Sequence, residues 1–244
     1  MTQAIGVIQA LYRYPIKSMA GEPLDTADLG WHGLEGDRRF AFRRVQDQSG
    51  FPWLTASRLP ELILYKPAPR QLSAQDSAPT HVHTPDGSLL ALDSEALCQE
   101  IVRRFGAQVQ LTRLKHGIFD EAPLSLITEA TIEKIADEAG VSADVRRFRP
   151  NVFIHTYSGE AFSEDQWVGK AIVFGSQENS PAVNIALRDE RCVMVNLDSE
   201  TAQANSAVLK SIVRLNQNCA GVYSTVIRPG LLKVNEEVFL RSLP

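Results

Sequence analysis

The chain has 244 residues, is 44% hydrophobic and carries 25 basic against 29 acidic side chains, for a net charge of −4. That length builds one large core or two small ones, and the acidic balance argues against a nucleic-acid-binding surface, which shows a basic excess. No run reaches the roughly 18 consecutive apolar residues of a membrane span, and the start Met1-Thr2-Gln3-Ala4-Ile5 lacks the charged and apolar regions of a signal peptide.

In chain order, the first half reads as short strands joined by turns. Ile5 to Tyr12 is strand-like, with Ile5, Val7 and Leu11 on one face, and Phe40 to Val45 and Leu62 to Lys66 follow. The stretch from Pro67 to Pro79, rich in Pro, Ser, Ala and Gln, predicts a surface loop. Thr80 to Thr84 and Ser88 to Leu92 flank Pro85-Asp86-Gly87, a hairpin signal. A helix is expected from about Asp93, its N-cap, to Phe105, with Gly106 as the stop. Leu97, Ile101 and Phe105 form its apolar stripe, and Cys98 beside them reads as a small buried hydrophobe.

In the second half, Thr128 caps a helix running to Ala139 and ended by Gly140. Asn151 to His155, Ala171 to Phe174 and Cys192 to Leu197 are expected strands. Ser199 or Glu200 opens a helix to about Leu215. Val222 to Ile227 and Leu231 to Leu240 predict a closing hairpin around Arg228-Pro229-Gly230. Many short strands with few helices imply a mostly β, α+β fold of barrel-like architecture with peripheral helices.

Several chemistries are absent from the sequence. There is no GxGxxG, no Walker pattern and no GxSxG elbow. The five histidines do not sit at HExxH spacing, and His81 and His83 read as outward positions on a hairpin. Three cysteines, Cys98, Cys192 and Cys219, form no CxxC, which disfavours a disulfide framework, a structural zinc site and an iron–sulfur cluster. A reducing cytoplasm is the expected compartment.

The most informative position is Cys192, in Arg188-Asp189-Glu190-Arg191-Cys192. Two arginines lie within four residues upstream, and nearby cations favour the thiolate, the form that attacks electrophiles or binds metals. Other arginines cluster as Arg38-Arg39, Arg43-Arg44, Arg103-Arg104 and Arg146-Arg147-Phe148-Arg149. Arg103-Arg104 reads as solvated helix charge. The rest flank strand-like runs, where a planar guanidinium can be aimed inward to grip phosphate or carboxylate oxygens.

Four ordered stretches resemble the MOSC family, in particular members with an added N-terminal β-barrel domain such as the amidoxime-reducing molybdenum proteins. They are Leu11-Tyr-Arg-Tyr-Pro-Ile-Lys17-Ser18 with Gly33-Leu-Glu-Gly-Asp37-Arg38-Arg39-Phe40; Leu54-Thr55-Ala56-Ser57-Arg58; Arg147-Phe148-Arg149-Pro150-Asn151-Val152; and Arg191-Cys192 with Asp198 and Thr201 after it. The resemblance implies an N-terminal β-barrel-like domain over residues 1–115 and a MOSC β-barrel domain over 116–244. It implies a molybdenum cofactor (Mo-molybdopterin), with Cys192 as the metal's thiolate ligand. Lys17, Ser18, Arg38, Ser125, Arg149, Asn151 and Arg191 are the implied cofactor contacts, and Asp198 joins Cys192 as a catalytic candidate. The implied activity is reduction of N-oxygenated compounds with electrons from a separate redox protein. The alternative is a carrier of the cofactor or of sulfur, without reductase activity. Where relatives carry Val-Asp-Pro-Asp-Thr-Gly, this chain has Val195-Asn196-Leu197-Asp198-Ser199-Glu200-Thr201-Ala202, which bears on substrate handling at the rim.

Overall fold

The protein is described by a computed structural model covering residues 2–68, 79–117 and 121–242. The expected loop between Pro67 and Pro79 lies for most of its length outside the described residues.

Seven strands close into a barrel. In order around it run Val152–Thr156, Leu124–Thr128, Cys219–Arg228, Ala182–Glu190, Lys170–Phe174, Glu237–Ser242 and Thr2–Arg13, and the last pairs back with the first. The pairing of Leu124–Thr128 with Val152–Thr156 is parallel; the other barrel pairings are antiparallel. Closure leaves no free edge among these strands, and the interior fills with side chains. Ile8, Leu11, Leu126, Val152, Ile154, Ile172, Val183, Ile185 and Val222 are all fully buried there.

The N-terminal strand runs Thr2–Arg13, and it turns its apolar residues differently from the simple alternation expected. Its register shifts between Ala4 and Gly6 on one side and between Ile8 and Ala10 on the other. A bulge inserts one residue and inverts which parity faces inward. Ile8 and Leu11 are therefore the buried pair, while Ile5 is only partly buried. Gly6 is required inside this strand, since an added Cβ would stand 2.0 Å from the His155 carbonyl oxygen.

Helices cover the outside. Helix α1 (Glu95–Phe105) is capped by the Ser94 hydroxyl, which accepts from Leu97 N, and not by Asp93; Gly106 ends it in the left-handed conformation. Helix α2 (Glu129–Ala139) starts at Thr128, whose hydroxyl accepts from Thr131 N, and stops at Gly140, as the sequence predicts. Ile132 and Ile135 of α2 and Ile212 of α3 (Ala207–Asn216) pack with Ile127 and Ala220 of the barrel wall. A separate core of Ile16, Met19, Phe42, Leu54, Leu62, Val82, Leu97 and Ile101 gathers the small sheets around α1. The expected hairpin is present there as His81–His83 against Leu89–Ala91. The fold class is thus as expected: mostly β, with three peripheral α-helices among the described residues.

Four further expectations are corrected. Leu62–Lys66 is not a strand: Pro60–Leu64 form a short 3-10 helix and the strand is Lys66–Ala68. Residues 192–197 are not a strand; Val193–Asn196 form a short 3-10 turn. Helix α3 begins at Ala207, not near Ser199. Asp198 holds residues 198–203 in a loop: its Oδ1 accepts from Glu200 N, Thr201 N and the Thr201 hydroxyl, each near 3.0 Å. Such side-chain bonds to local amides compete with helix formation. The closing segments are not a hairpin with each other, because Gly230–Lys233 pairs with Thr26–Gly30 while Glu237–Ser242 joins the barrel. The strand Ala182–Glu190, central to the barrel, carries too mixed a pattern to show in the sequence.

Candidate anion-binding cavity

Four segments far apart in the chain meet where the barrel abuts the second core. After the N-terminal strand, the chain turns through Tyr14-Pro15-Ile16-Lys17-Ser18. Arg38 N donates to Tyr14 O at 2.8 Å and Lys17 N to Phe40 O at 2.8 Å. The Asp37 carboxylate, fully buried, accepts from Tyr14 N at 2.7 Å and pairs with the Arg38 guanidinium. Burial disfavours the Arg38 charge, but Asp37 more than restores it, so this guanidinium holds its proton more tightly than usual.

Asn151 stitches the segments together. Its Oδ1 accepts from Ser125 N at 3.2 Å and from Arg38 Nη1 at 3.3 Å, and its Nδ2 donates to Tyr12 O at 3.2 Å. Arg38 Nη2 donates to Arg149 O at 3.2 Å. The Tyr14 ring is shared by two cations, with the Arg149 guanidinium 4.3 Å and that of Arg38 5.0 Å from its centroid. Burial raises the Tyr14 phenol pKa well above its usual value, so the ring stays neutral.

Ser18, Arg38 and Arg149 all adopt positive φ, at 66°, 48° and 53°. Non-glycine residues reach this region at a cost, and clustering of such residues marks places where surrounding contacts over-determine the backbone. Nothing in the sequence announces it.

These segments enclose a cavity of about 400 Å³. Lys17, Ser18, Arg38, Ser125, Arg149, Arg191 and Cys192 line it. Asn151 lies behind the lining, fully buried, as the brace of Arg38. Asp198 is not among the lining residues. It pairs with Arg147 at 2.8 Å, and despite a burial penalty the surrounding amides hold its carboxyl below the usual range. The lining also includes Phe51, Thr55, Ser57, Arg147, Met194 and Tyr223, which sequence reasoning left without a role. Thr55 and Ser57 had a signal, since they sit in the Leu54–Arg58 motif.

The arginines before Cys192 do not behave as their proximity in sequence suggests. Arg188 reaches Asp165 at 3.0 Å and donates to the Asn216 carbonyl at 2.9 Å. Arg191 donates through Nε to Ala220 O at 2.7 Å and through Nη1 to Phe148 O at 2.8 Å, and it pairs with Asp189 at 2.9 Å. It is a buried clasp that ties the Phe148-Arg149 loop to the strand beneath Cys192. Gly221 makes room for it: with φ +82°, an added Cβ there would lie 3.1 Å from Arg191 Nη2 and 2.6 Å from Leu126 O. Cys192 itself is exposed at the mouth.

Five cations line the cavity against three acids, Glu121, Asp189 and Glu190. The buried Ser125 hydroxyl faces it with no hydrogen-bond partner. A charged wall, spare donors and an accessible thiol fit an anionic small molecule that also engages sulfur.

A closed β-barrel with a guanidinium-rich cavity beside a free thiol is the class of protein this arrangement defines. The chain belongs to the MOSC domain family: residues 113–239 match the MOSC domain, and residues 5–121 match the MOSC N-terminal beta barrel domain. It is 22% identical to mitochondrial amidoxime reducing component 2 of Bos taurus, with 97% of this chain and 84% of that one covered. Its fold is similar to that of the YUAD protein from Bacillus subtilis, with a TM-score of 0.55 at 15% identity over 100% of this chain and 99% of the other.

Proposed function

We propose that this protein binds a molybdenum cofactor in the 400 Å³ cavity and reduces N-hydroxylated or otherwise N-oxygenated small molecules, using electrons from a separate redox protein. One observation carries the reading: the PIKS turn, the Asp37-Arg38 pair, the Arg147–Asn151 segment and Arg191-Cys192 converge on that single space. The family membership and the amidoxime-reducing relative support it.

In this reading Lys17, Arg38 and Arg149 neutralise the cofactor's phosphate, and Ser18 and Ser125 offer hydroxyls to its polar edge. Asn151 and Arg191 hold the loops that present these groups. Cys192 supplies a thiolate to the metal. Among the described residues no group of three or more His, Cys, Asp or Glu is placed to hold a metal ion, which suits a metal that brings most of its ligands with it. When bound, the cofactor supplies two-electron oxygen-atom redox chemistry. The net reaction takes two electrons and two protons, breaks the N–O bond and releases water. The chain's part is to bind, orient and bury the anionic group while leaving the thiol side open to substrate. We place the boundary between the two family domains near residue 115, with the N-terminal strand Thr2–Arg13 reaching across it to close the second domain's barrel, and the protein in a reducing, cytoplasmic compartment, in keeping with its three free thiols. Among the described residues no helix is long and apolar enough to cross a membrane.

The test is metal and pterin analysis of protein made in cells that synthesise the cofactor. Wild type should carry molybdenum and Cys192→Ala should lose most of it; equal metal in both would sink the ligand role. Reduction of a model amidoxime in a reconstituted electron-transfer chain then tests the activity. The exposure of Cys192 also favours a second reading, a carrier of cofactor or sulfur. A persulfide on Cys192 by intact mass, with molybdenum bound and no N-reduction, would select it.

A further inference from the structure

A second cavity, of about 450 Å³, lies against the first. The two share Arg147, Arg149 and Met194 as a common wall. Nothing in the proposed reduction uses the rest of it. Its size falls within the roughly 300–1,000 Å³ range of small-molecule sites.

Its body is apolar and aromatic: Tyr12, Pro23, Ile63 and Leu197 line it. One end is charged, and the charges there do not cancel. Arg146 holds Asp144 at 2.9 Å and also Glu200, and Arg147 holds Asp198 at 2.8 Å. These two guanidiniums pair with three carboxylates; Arg149 and Lys66 also line the cavity, so four cations stand against three acids. Lys66, which also lines the cavity, is exposed and makes no ion pair among the described residues. A further donor is idle: Arg147 is only 8% exposed, and its Nε has no hydrogen-bond partner. A buried N–H without an acceptor is unfavourable, so a ligand oxygen placed there gains by satisfying it.

We propose that this second cavity is a binding site for an aromatic carboxylate. A flat ring suits the Tyr12, Pro23 and Ile63 surfaces. A single negative charge suits that surplus of one, with the exposed ammonium of Lys66, which makes no ion pair among the described residues, as its partner and Arg147 Nε as an additional donor. A phosphate dianion would exceed that surplus by one charge, beside Glu200 and Asp198. The site has its own cavity but shares Arg149 with the first, so the titration is made on cofactor-free protein.

The probe is 1-naphthoate, titrated calorimetrically into the purified full chain, with neutral 1-naphthalenemethanol as comparison. We expect naphthoate to bind at least tenfold more tightly than the alcohol. Lys66→Gln, an exposed change that leaves the core untouched, should weaken naphthoate at least fivefold and leave the alcohol unaffected. Ile63→Trp, which fills the apolar end, should abolish both, with circular dichroism confirming the fold. No naphthoate binding up to 5 mM (about 3 kcal/mol of affinity) overturns the proposal. So does equal binding of the two compounds, or an affinity that survives Lys66→Gln but is lost in Lys17→Gln, which would put the ligand in the first cavity.

Discussion

Arg191→Met tests whether the residue beside Cys192 is a scaffold. The substitution keeps length and removes three polar contacts: to Ala220 O at 2.7 Å, Phe148 O at 2.8 Å and Asp189 at 2.9 Å. Arg191 is 8% exposed and Asp189 is 2% exposed, so water cannot readily replace the lost donors. Removing one partner of a buried ion pair costs about 3–5 kcal/mol, because the other charge is left in a poor solvent. The two stranded carbonyls push the value towards the top of that range. For a chain of this size each kcal/mol moves Tm by about 2–4 °C, so the expected fall is roughly 6–20 °C. Thermal unfolding followed by circular dichroism, on cofactor-free protein, reads it directly. Arg191→Lys should fall almost as far, since an ammonium cannot serve three diverging partners. A Tm within about 2 °C of wild type for Arg191→Met would refute the clasp and return Arg191 to a role towards the thiol.

Ser125→Ala is expected to separate binding from stability. The hydroxyl it removes is buried without a partner, so Tm of cofactor-free protein should stay within about 2 °C or rise, since nothing made is lost, while molybdenum retention on purification should drop. Gly221→Ala should destabilise by about 3 kcal/mol or more, from strain at φ +82° added to the contact with Leu126 O; urea unfolding with an unchanged m-value checks it. Glu164 is fully buried, and burial raises its carboxyl pKa despite hydrogen bonds from Thr128 and Thr131. An acid whose folded pKa is raised stabilises below its unfolded value, about 4.3, and loses that contribution as pH climbs through the folded value. Glu164→Gln should therefore match wild type near pH 4.5 and exceed it near pH 8, as read by Tm across that range; parallel curves would refute the assignment.

Much of the local structure was legible. Thr128 and Gly140 mark both ends of α2 because capping depends on neighbours three or four residues away. The Pro85-Asp86-Gly87 turn and the Leu97, Ile101 stripe are equally local. The motif set also named seven residues that line one cavity. Its weakest part was direction. Adjacency suggested that Arg188 and Arg191 serve Cys192, but their donors go to Asn216, Ala220, Phe148 and two aspartates. Where a long side chain points depends on which carbonyls the fold brings within reach, and these come from elements 28–43 positions away.

By itself, then, the sequence determined the mostly β class, the helix ends, the turn residues and the list of groups able to hold an anion. Each follows from chemistry within a few residues or from an ordered set of motifs. Only the tertiary structure decided the closure of the barrel, the bulges that turn Ile8 inward, the positive φ of Ser18, Arg38 and Arg149, and the second cavity behind Arg149. These depend on contacts between distant segments, as in the Arg38–Asn151 bond that spans 113 positions. Such contacts join segments far apart in the chain, and no local pattern encodes them.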